Sequence, residues 1–80
     1  MNNITKLSEL KQGETCVVQS VTLQAGLRQR LRDLGLCPGN DVVCAYIAPS
    51  GSPIAFWVKG ALIALRREDC AQIRGIYCCG

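Results

Sequence analysis

The sequence contains no histidine, which removes the usual general base of Ser-His and Cys-His catalysis and the commonest metal-binding side chain. Its acidic residues form no isolated pair in an apolar setting, and Glu68 and Asp69 lie in a charged run that is typical of a solvated face. Neither a glycine-rich phosphate loop nor a dinucleotide-binding fingerprint occurs. We therefore expect that the chain is not an enzyme.

Long apolar runs and an export signal are also missing. No apolar run approaches the ~20 residues of a membrane-spanning helix, and the first 13 residues lack a basic segment followed by an apolar core. We expect a single cytoplasmic domain over residues 1 to 80. The net charge of +3 is too small to indicate nucleic-acid binding, although it favours a partner with an acidic surface.

The six cysteines do not form a recognisable metal or redox motif, since no C-x-x-C pair occurs. Without an export signal the thiols are expected to be reduced. Cys16, Cys44 and Cys70 lie in apolar segments and are interpreted as small core residues. The role of the adjacent pair Cys78 and Cys79, and whether any metal binds, stay open.

The stretch from Leu27 onward predicts a helix and its end. Leu27, Leu31 and Leu34 recur at helical spacing and predict one buried stripe. Gly35 is expected to end the helix in a left-handed conformation, so that Leu36 folds back towards Leu31. The next four residues, Cys-Pro-Gly-Asn, predict a type II turn.

Three arginines lie on this helix. Arg28 and Arg32 fall one turn apart on one flank of the leucine stripe, and Arg30 falls on the other. One interpretation is that their stems cover the edges of the core while Asp33 pairs with Arg30. The other is a cationic ridge that binds an acidic partner.

The remaining pattern is mainly β. The helix lies between the first and second of five predicted strands, and short helical turns are expected around Leu7 and Leu10 and within residues 66 to 72. The predicted strands cover residues 15 to 22, 41 to 47, 54 to 58, 61 to 65 and 73 to 77. Five short strands with short connections close most economically into a small barrel.

The two-residue loop Lys59-Gly60 sets the register of a hairpin. It predicts that Trp57 faces Leu62 and that Ala55 faces Ala64, all on the outer side of the sheet. An exposed apolar patch of this kind tends to mark a contact site. The alternative is that the N-terminal segment with its two leucines folds over this face and buries it.

At this point the residues resemble a known family. R-x-R-L-x-D-L-G-L-x-P-G at 28 to 39, A-P-x-G-x-P-I at 48 to 54 and V-K-G-A-x-I-A-L-R-R-E-D at 58 to 69 are similar to FeoA, the small cytoplasmic protein of bacterial ferrous iron uptake. The resemblance implies an SH3-like barrel. It also implies an accessory role beside FeoB, the membrane transporter with a cytoplasmic GTPase region, so that the chain would meet the membrane only through FeoB.

The resemblance leaves two hypotheses. The first is an interaction module that docks on the FeoB GTPase region and modulates it, with Ala55, Trp57, Leu62, Arg28 and Arg32 as candidate contacts and a second copy of the chain as another partner. The second is a metal-responsive module that binds Fe2+ or another divalent transition metal weakly, because the same module forms the C-terminal domain of DtxR-type repressors. The departures from the family are the apolar residues on the outer side of the hairpin and the abundance of cysteine.

Overall fold

The computed structural model describes residues 3–78. The fold consists of six strands and three short helical segments, and the predicted bounds of the three central strands are correct to the residue. The strands are β1 (Ile4–Lys6), β2 (Thr15–Val21), β3 (Asp41–Ile47), β4 (Ile54–Val58), β5 (Ala61–Leu65) and β6 (Ile73–Cys78). The helices are α1 (Ala25–Asp33), α2 (Arg67–Cys70) and a 3-10 turn at Leu7–Glu9. Neither α-helix of the described residues has the length or the apolar run that a bilayer crossing requires.

All neighbouring strands are antiparallel, and they form one sheet in the order β1-β6-β2-β3-β4-β5. The prediction of five strands missed β1, which pairs Ile4 with Ile76 of β6. This strand has only three residues, and its partner lies at the other end of the chain, so no local pattern indicates it. β1 and β5 are the two edges of the sheet.

The core is formed by side chains from one side of every strand from β2 to β6, together with residues of the helical segments. The sheet must curl round this cluster, because strands at distant positions in the order reach it. Its buried members are Leu7, Leu10, Cys16, Val18, Leu23, Leu31, Leu36, Val42, Cys44, Ile54, Phe56, Val58, Ile63, Leu65, Cys70 and Ile73. No charged or polar side chain is fully buried among the described residues, so the fold depends on apolar packing and on the backbone ladder.

The end of α1 forms as predicted. Gly35 has φ +101°, its N–H donates to Arg32 O at 2.9 Å, and the N–H of Leu36 donates to Leu31 O at 2.8 Å. These two bonds are the Schellman pattern, which satisfies the last carbonyl groups of a helix. Leu31 and Leu36 are both buried as a result.

One detail of the helix prediction is wrong. Leu34 was expected in the buried stripe but is 44% exposed, because the helix ends at Asp33 and the reversal at Gly35 places Leu36 in the core instead. The helix begins at Ala25 after Gln24, which makes no side-chain cap hydrogen bond. A start without a capping side chain leaves no signal in the sequence.

Residues 35–40 form the corner between α1 and β3, and the turn in its second half is hydrogen-bonded to β2. Gly39 has φ +97° and the N–H of Asn40 donates to Cys37 O at 3.2 Å, as a type II turn requires. The N–H of Gly39 also donates to Val18 O, and the N–H of Val18 donates to Asn40 O, both at 2.9 Å. The predicted turn therefore extends the β2–β3 pairing.

Candidate functional site

The outer side of the β4–β5 hairpin is an exposed apolar surface with the predicted register. Trp57 lies opposite Leu62 and Ala55 lies opposite Ala64. Trp57 is 49% exposed and Leu62 is 56% exposed. Single exposed aliphatic residues are common on protein surfaces, whereas a contiguous patch of large, half-exposed apolar side chains is typical of a contact surface.

β3 enlarges this surface through an irregularity that the sequence pattern does not show. Val43 lies opposite Trp57, and the register shifts between Cys44 and Tyr46, so that Tyr46 lies opposite Ala55. Regular alternation would place Tyr46 on the same side as the buried Cys44, but the extra residue in the bulge turns it outward. Tyr46 is 53% exposed, and sequence reasoning missed it.

We call this surface the outer hairpin face. It consists of six uncharged residues on three neighbouring strands: Val43, Tyr46, Ala55, Trp57, Leu62 and Ala64. The hypothesis that the N-terminal segment covers it is wrong. Leu7 and Leu10 are 0% and 2% exposed as members of the core, and the 3-10 turn that carries Leu7 is anchored by Arg67, whose Nη1 donates to Ser8 O at 2.9 Å.

The two predicted arginines lie on a different surface. Arg28 and Arg32 line a groove of about 280 Å³, here called the helix groove, beside α1. The rest of the lining comes from α1 itself, from the end of β2 and from the corner that follows the helix: Ala25, Gln29, Val21, Leu36, Cys37 and Pro38. No residue of the outer hairpin face lines it, so the five predicted contact residues divide between two surfaces.

The predicted ion pair between Arg30 and Asp33 does not form. Asp33 instead accepts a hydrogen bond from Nε2 of Gln29 at 3.0 Å, because Gln29 precedes it by four residues and lies on the same side of the helix. Among residues 3–78, the ion pairs are those of Arg66, with Glu68 at 4.0 Å and with Asp69 at 3.4 Å.

The cysteines in the core are confirmed as packing residues. Cys16, Cys44 and Cys70 are each 0% exposed. Burial raises the pKa of the Cys16 thiol to about 11 and that of the Cys70 thiol to about 12, because the interior disfavours the thiolate. A thiol that stays protonated is a poor nucleophile and a poor metal ligand.

The other cysteines are more accessible. Cys37 is half-buried in the helix groove, where its sulfur accepts a hydrogen bond from Asn40 Nδ2 at 3.3 Å. Cys78 is exposed, and Cys79 lies outside the described residues. Within the described part of the chain, no three Cys, Asp or Glu side chains come together as a metal ligand set.

Comparison with known proteins decides the family. A family model of the FeoA domain matches residues 5–75. The chain belongs to the FeoA domain family. Its fold agrees with that of solved FeoA proteins, because the FeoA protein of Chlorobium tepidum is 40% identical, superposes with a TM-score of 0.85, and is matched over 90% of this chain and 70% of its own.

Two further relatives are a zinc-bound FeoA protein and a fusion of an FeoA-like segment with a transporter. A zinc complex of FeoA from Stenotrophomonas maltophilia, an SH3-domain protein, is 30% identical over 86% of each chain with a TM-score of 0.73. The SH3-like fold expected from the resemblance is thereby confirmed. A Porphyromonas gingivalis fusion of Fe(2+) transport protein A with the transporter FeoB is 31% identical over 85% of this chain, which spans only 8% of the fusion protein.

The fold also occurs outside iron transport. A manganese-dependent transcriptional repressor superposes with a TM-score of 0.83 over 98% of this chain and 44% of its own, at 11% identity. A likeness at this identity concerns the fold alone. FeoA domains and one part of this repressor therefore share an architecture.

Proposed function

We propose that this chain is a cytoplasmic accessory protein of ferrous iron uptake, which docks through the outer hairpin face on the GTPase region of a FeoB-type transporter and modulates it. The observation that carries the proposal is the half-exposed Trp57 at the centre of an uncharged surface on three strands. Tryptophan is the residue type most enriched among binding hot spots.

The Porphyromonas gingivalis fusion supports this choice of partner. In that protein an FeoA-like segment and FeoB belong to one polypeptide, so the two are held at a high effective concentration. On the proposed docking, a surface of the FeoA-like domain itself makes the contact with FeoB. The outer hairpin face has the apolar composition that the centre of such an interface requires.

The experiment compares three proteins for binding to the FeoB cytoplasmic region, with and without a GTP analogue. Trp57→Lys introduces a charge into the outer hairpin face and is expected to weaken binding about 30-fold or more. Leu34→Lys is the matched control, since Leu34 is also exposed, at 44%, but lies at the end of α1. Equal binding by wild type and Trp57→Lys, or equal loss in both variants, would contradict the proposal.

Tryptophan fluorescence separates docking from self-association, because Trp57 is the only tryptophan of the chain. Its emission should be red-shifted in dilute protein and move to the blue when the FeoB region is added. A blue shift that depends only on the concentration of the chain itself would indicate a homo-oligomer formed through the same face. Blue emission at every dilution would mean that the face is covered.

The metal-responsive alternative is favoured by the zinc complex of the relative from Stenotrophomonas maltophilia. It predicts that the reduced protein competes for Fe2+ or Zn2+ with a chromophoric chelator, through carboxylates or through the tail thiols. Cys78→Ser together with Cys79→Ser lowers this affinity only if the tail thiols are the ligands. Unchanged affinity in the double variant would exclude the tail thiols as the ligands. Docking through the outer hairpin face requires neither thiol, so the two functions are tested separately.

A further inference from the structure

The helix groove combines two unpaired cations with apolar lining residues. Arg28 and Arg32 lie one helical turn apart on one wall. Both arginines are exposed residues, and within residues 3–78 neither forms an ion pair. Two neighbouring like charges repel each other, and no carboxylate lines the groove to offset this.

The one acidic residue of the same helix, Asp33, forms an ion pair with neither arginine and is outnumbered by three arginines. Its carboxylate accepts a hydrogen bond from the Gln29 amide at 3.0 Å, and Gln29 also lines the groove. Arg30 adds a third cation nearby but does not line the groove. The groove therefore has a positive potential that a ligand of opposite charge would complement.

The apolar part of the lining selects among anions. Val21, Leu36 and Pro38 line the groove beside the two arginines. A free phosphate ion would lose hydration there without using the apolar surface. A carboxylate side chain beside an aliphatic one would use both, with its oxygens accepting paired N–H bonds from a guanidinium group.

We propose that the helix groove binds an acidic peptide segment in which Asp or Glu adjoins an apolar residue. A volume of about 280 Å³ is slightly below the range of small-molecule pockets, roughly 300–1,000 Å³, and suits a few side chains better than a cofactor. Two arginines in one groove are also too few for a polyanion, whose binding requires a basic stripe. The proposal does not depend on docking through the outer hairpin face, since the two surfaces share no residue.

The test selects peptides from a displayed random library on three forms of the reduced full chain. These are wild type, the pair Arg28→Glu with Arg32→Glu, and Arg30→Glu as the matched control with the same change of sign on the same helix. Peptides enriched on wild type should contain Asp or Glu next to an apolar residue. Calorimetry with the best peptide should show at least a tenfold loss for the paired variant and less than about threefold for Arg30→Glu.

Three results would overturn the proposal. The first is no enrichment, or enrichment without an acidic residue. The second is an equal loss with Arg30→Glu, which would mean diffuse charge attraction. The third is displacement of the peptide by inorganic phosphate at matched ionic strength, which would mean a simple anion site. If the paired Glu variant does not fold, Arg28→Gln with Arg32→Gln removes the charges without reversing them, and the same tenfold loss is expected.

Discussion

Replacing Gly75 with alanine tests how closely β6 lies against β2. Gly75 is opposite Val18 of β2, and a methyl group on its Cα would lie 2.5 Å from Val17 O and 2.9 Å from Cys16 Sγ. A carbon atom usually stays at least ~3.3 Å from a carbonyl oxygen, so the strands must separate by roughly 0.8 Å. The Val17 oxygen belongs to the backbone and cannot rotate away as a side chain would.

The size of the effect follows from this contact. Overpacking usually costs about 1–3 kcal/mol, and we expect the upper end of that range because the displaced atom is part of the β2–β6 ladder. A domain of this length has an unfolding free energy of about 4–12 kcal/mol in total. The melting temperature should fall by about 4–8 °C for each kcal/mol lost, so the variant will be only marginally folded at room temperature if the starting stability is low.

Urea melts followed by circular dichroism measure the change. Gly26→Ala is the control, since a methyl group there meets nothing within 4 Å and alanine favours a helix, so this variant should be neutral or slightly more stable. Gly75→Ala should cost less in a Cys16→Ala background, because that change removes the sulfur contact but leaves the carbonyl contact. A urea midpoint for Gly75→Ala equal to that of wild type would refute the reasoning.

Three further outcomes are expected. Leu31→Ala should lower the unfolding free energy by about 2–5 kcal/mol because Leu31 is 2% exposed, while Leu34→Ala should change it by no more than about 0.5 kcal/mol; a larger loss for Leu34 would reverse the assignment of the buried side. Gly35→Val should cost about 1 kcal/mol or more, since φ is +101°, and an unchanged urea midpoint would contradict the left-handed corner. The pKa values of Cys16 and Cys70 in the folded protein, about 11 and about 12, lie above the unfolded thiol pKa of 9.0. The free energy of unfolding is therefore unaffected by these thiols below pH 9.0 and falls as the pH rises above it, because the unfolded chain loses the thiol protons first. Cys70→Ala should therefore flatten the decline in urea midpoint between pH 9 and 11, and an unaltered slope would disprove the assignment.

Much of the fold was readable from the sequence where structure is fixed by neighbours in the chain. The hairpin loop Lys59-Gly60 has positive φ at both residues, 50° and 81°, which is the geometry that fits a two-residue loop to twisted strands. Once the loop is known, every pair from Val58 opposite Ala61 to Ile54 opposite Leu65 follows. The Gly35 corner is equally local, because all its hydrogen bonds lie within a few residues of the glycine.

The features that escaped sequence reasoning depend on distant partners. β1 forms because β6 offers it an edge, and three residues alone carry too little pattern to indicate a strand. Tyr46 points outward because the β3–β4 ladder shifts, and a bulge has no fixed residue signature. The helix groove is formed by α1, the end of β2 and the corner at Cys37, so its existence could not be read from the arginines, although their spacing correctly placed Arg28 and Arg32 together.

The two candidate surfaces differ in physical origin, and this gives a test that applies to both. β4 is apolar on both sides, with Ile54, Phe56 and Val58 in the core and Trp57 outside; such a strand is typical of a sheet covered on both faces. The described chain covers only one face, so on the proposed docking the partner covers the second.

Apolar contacts of this kind should hold or strengthen as salt is added, whereas the binding of a ligand held by Arg28 and Arg32 should weaken as the ions screen the charges. If docking of the FeoB region is lost as the salt concentration rises, and Trp57→Lys has no effect on it, then the interface is the helix groove and not the outer hairpin face.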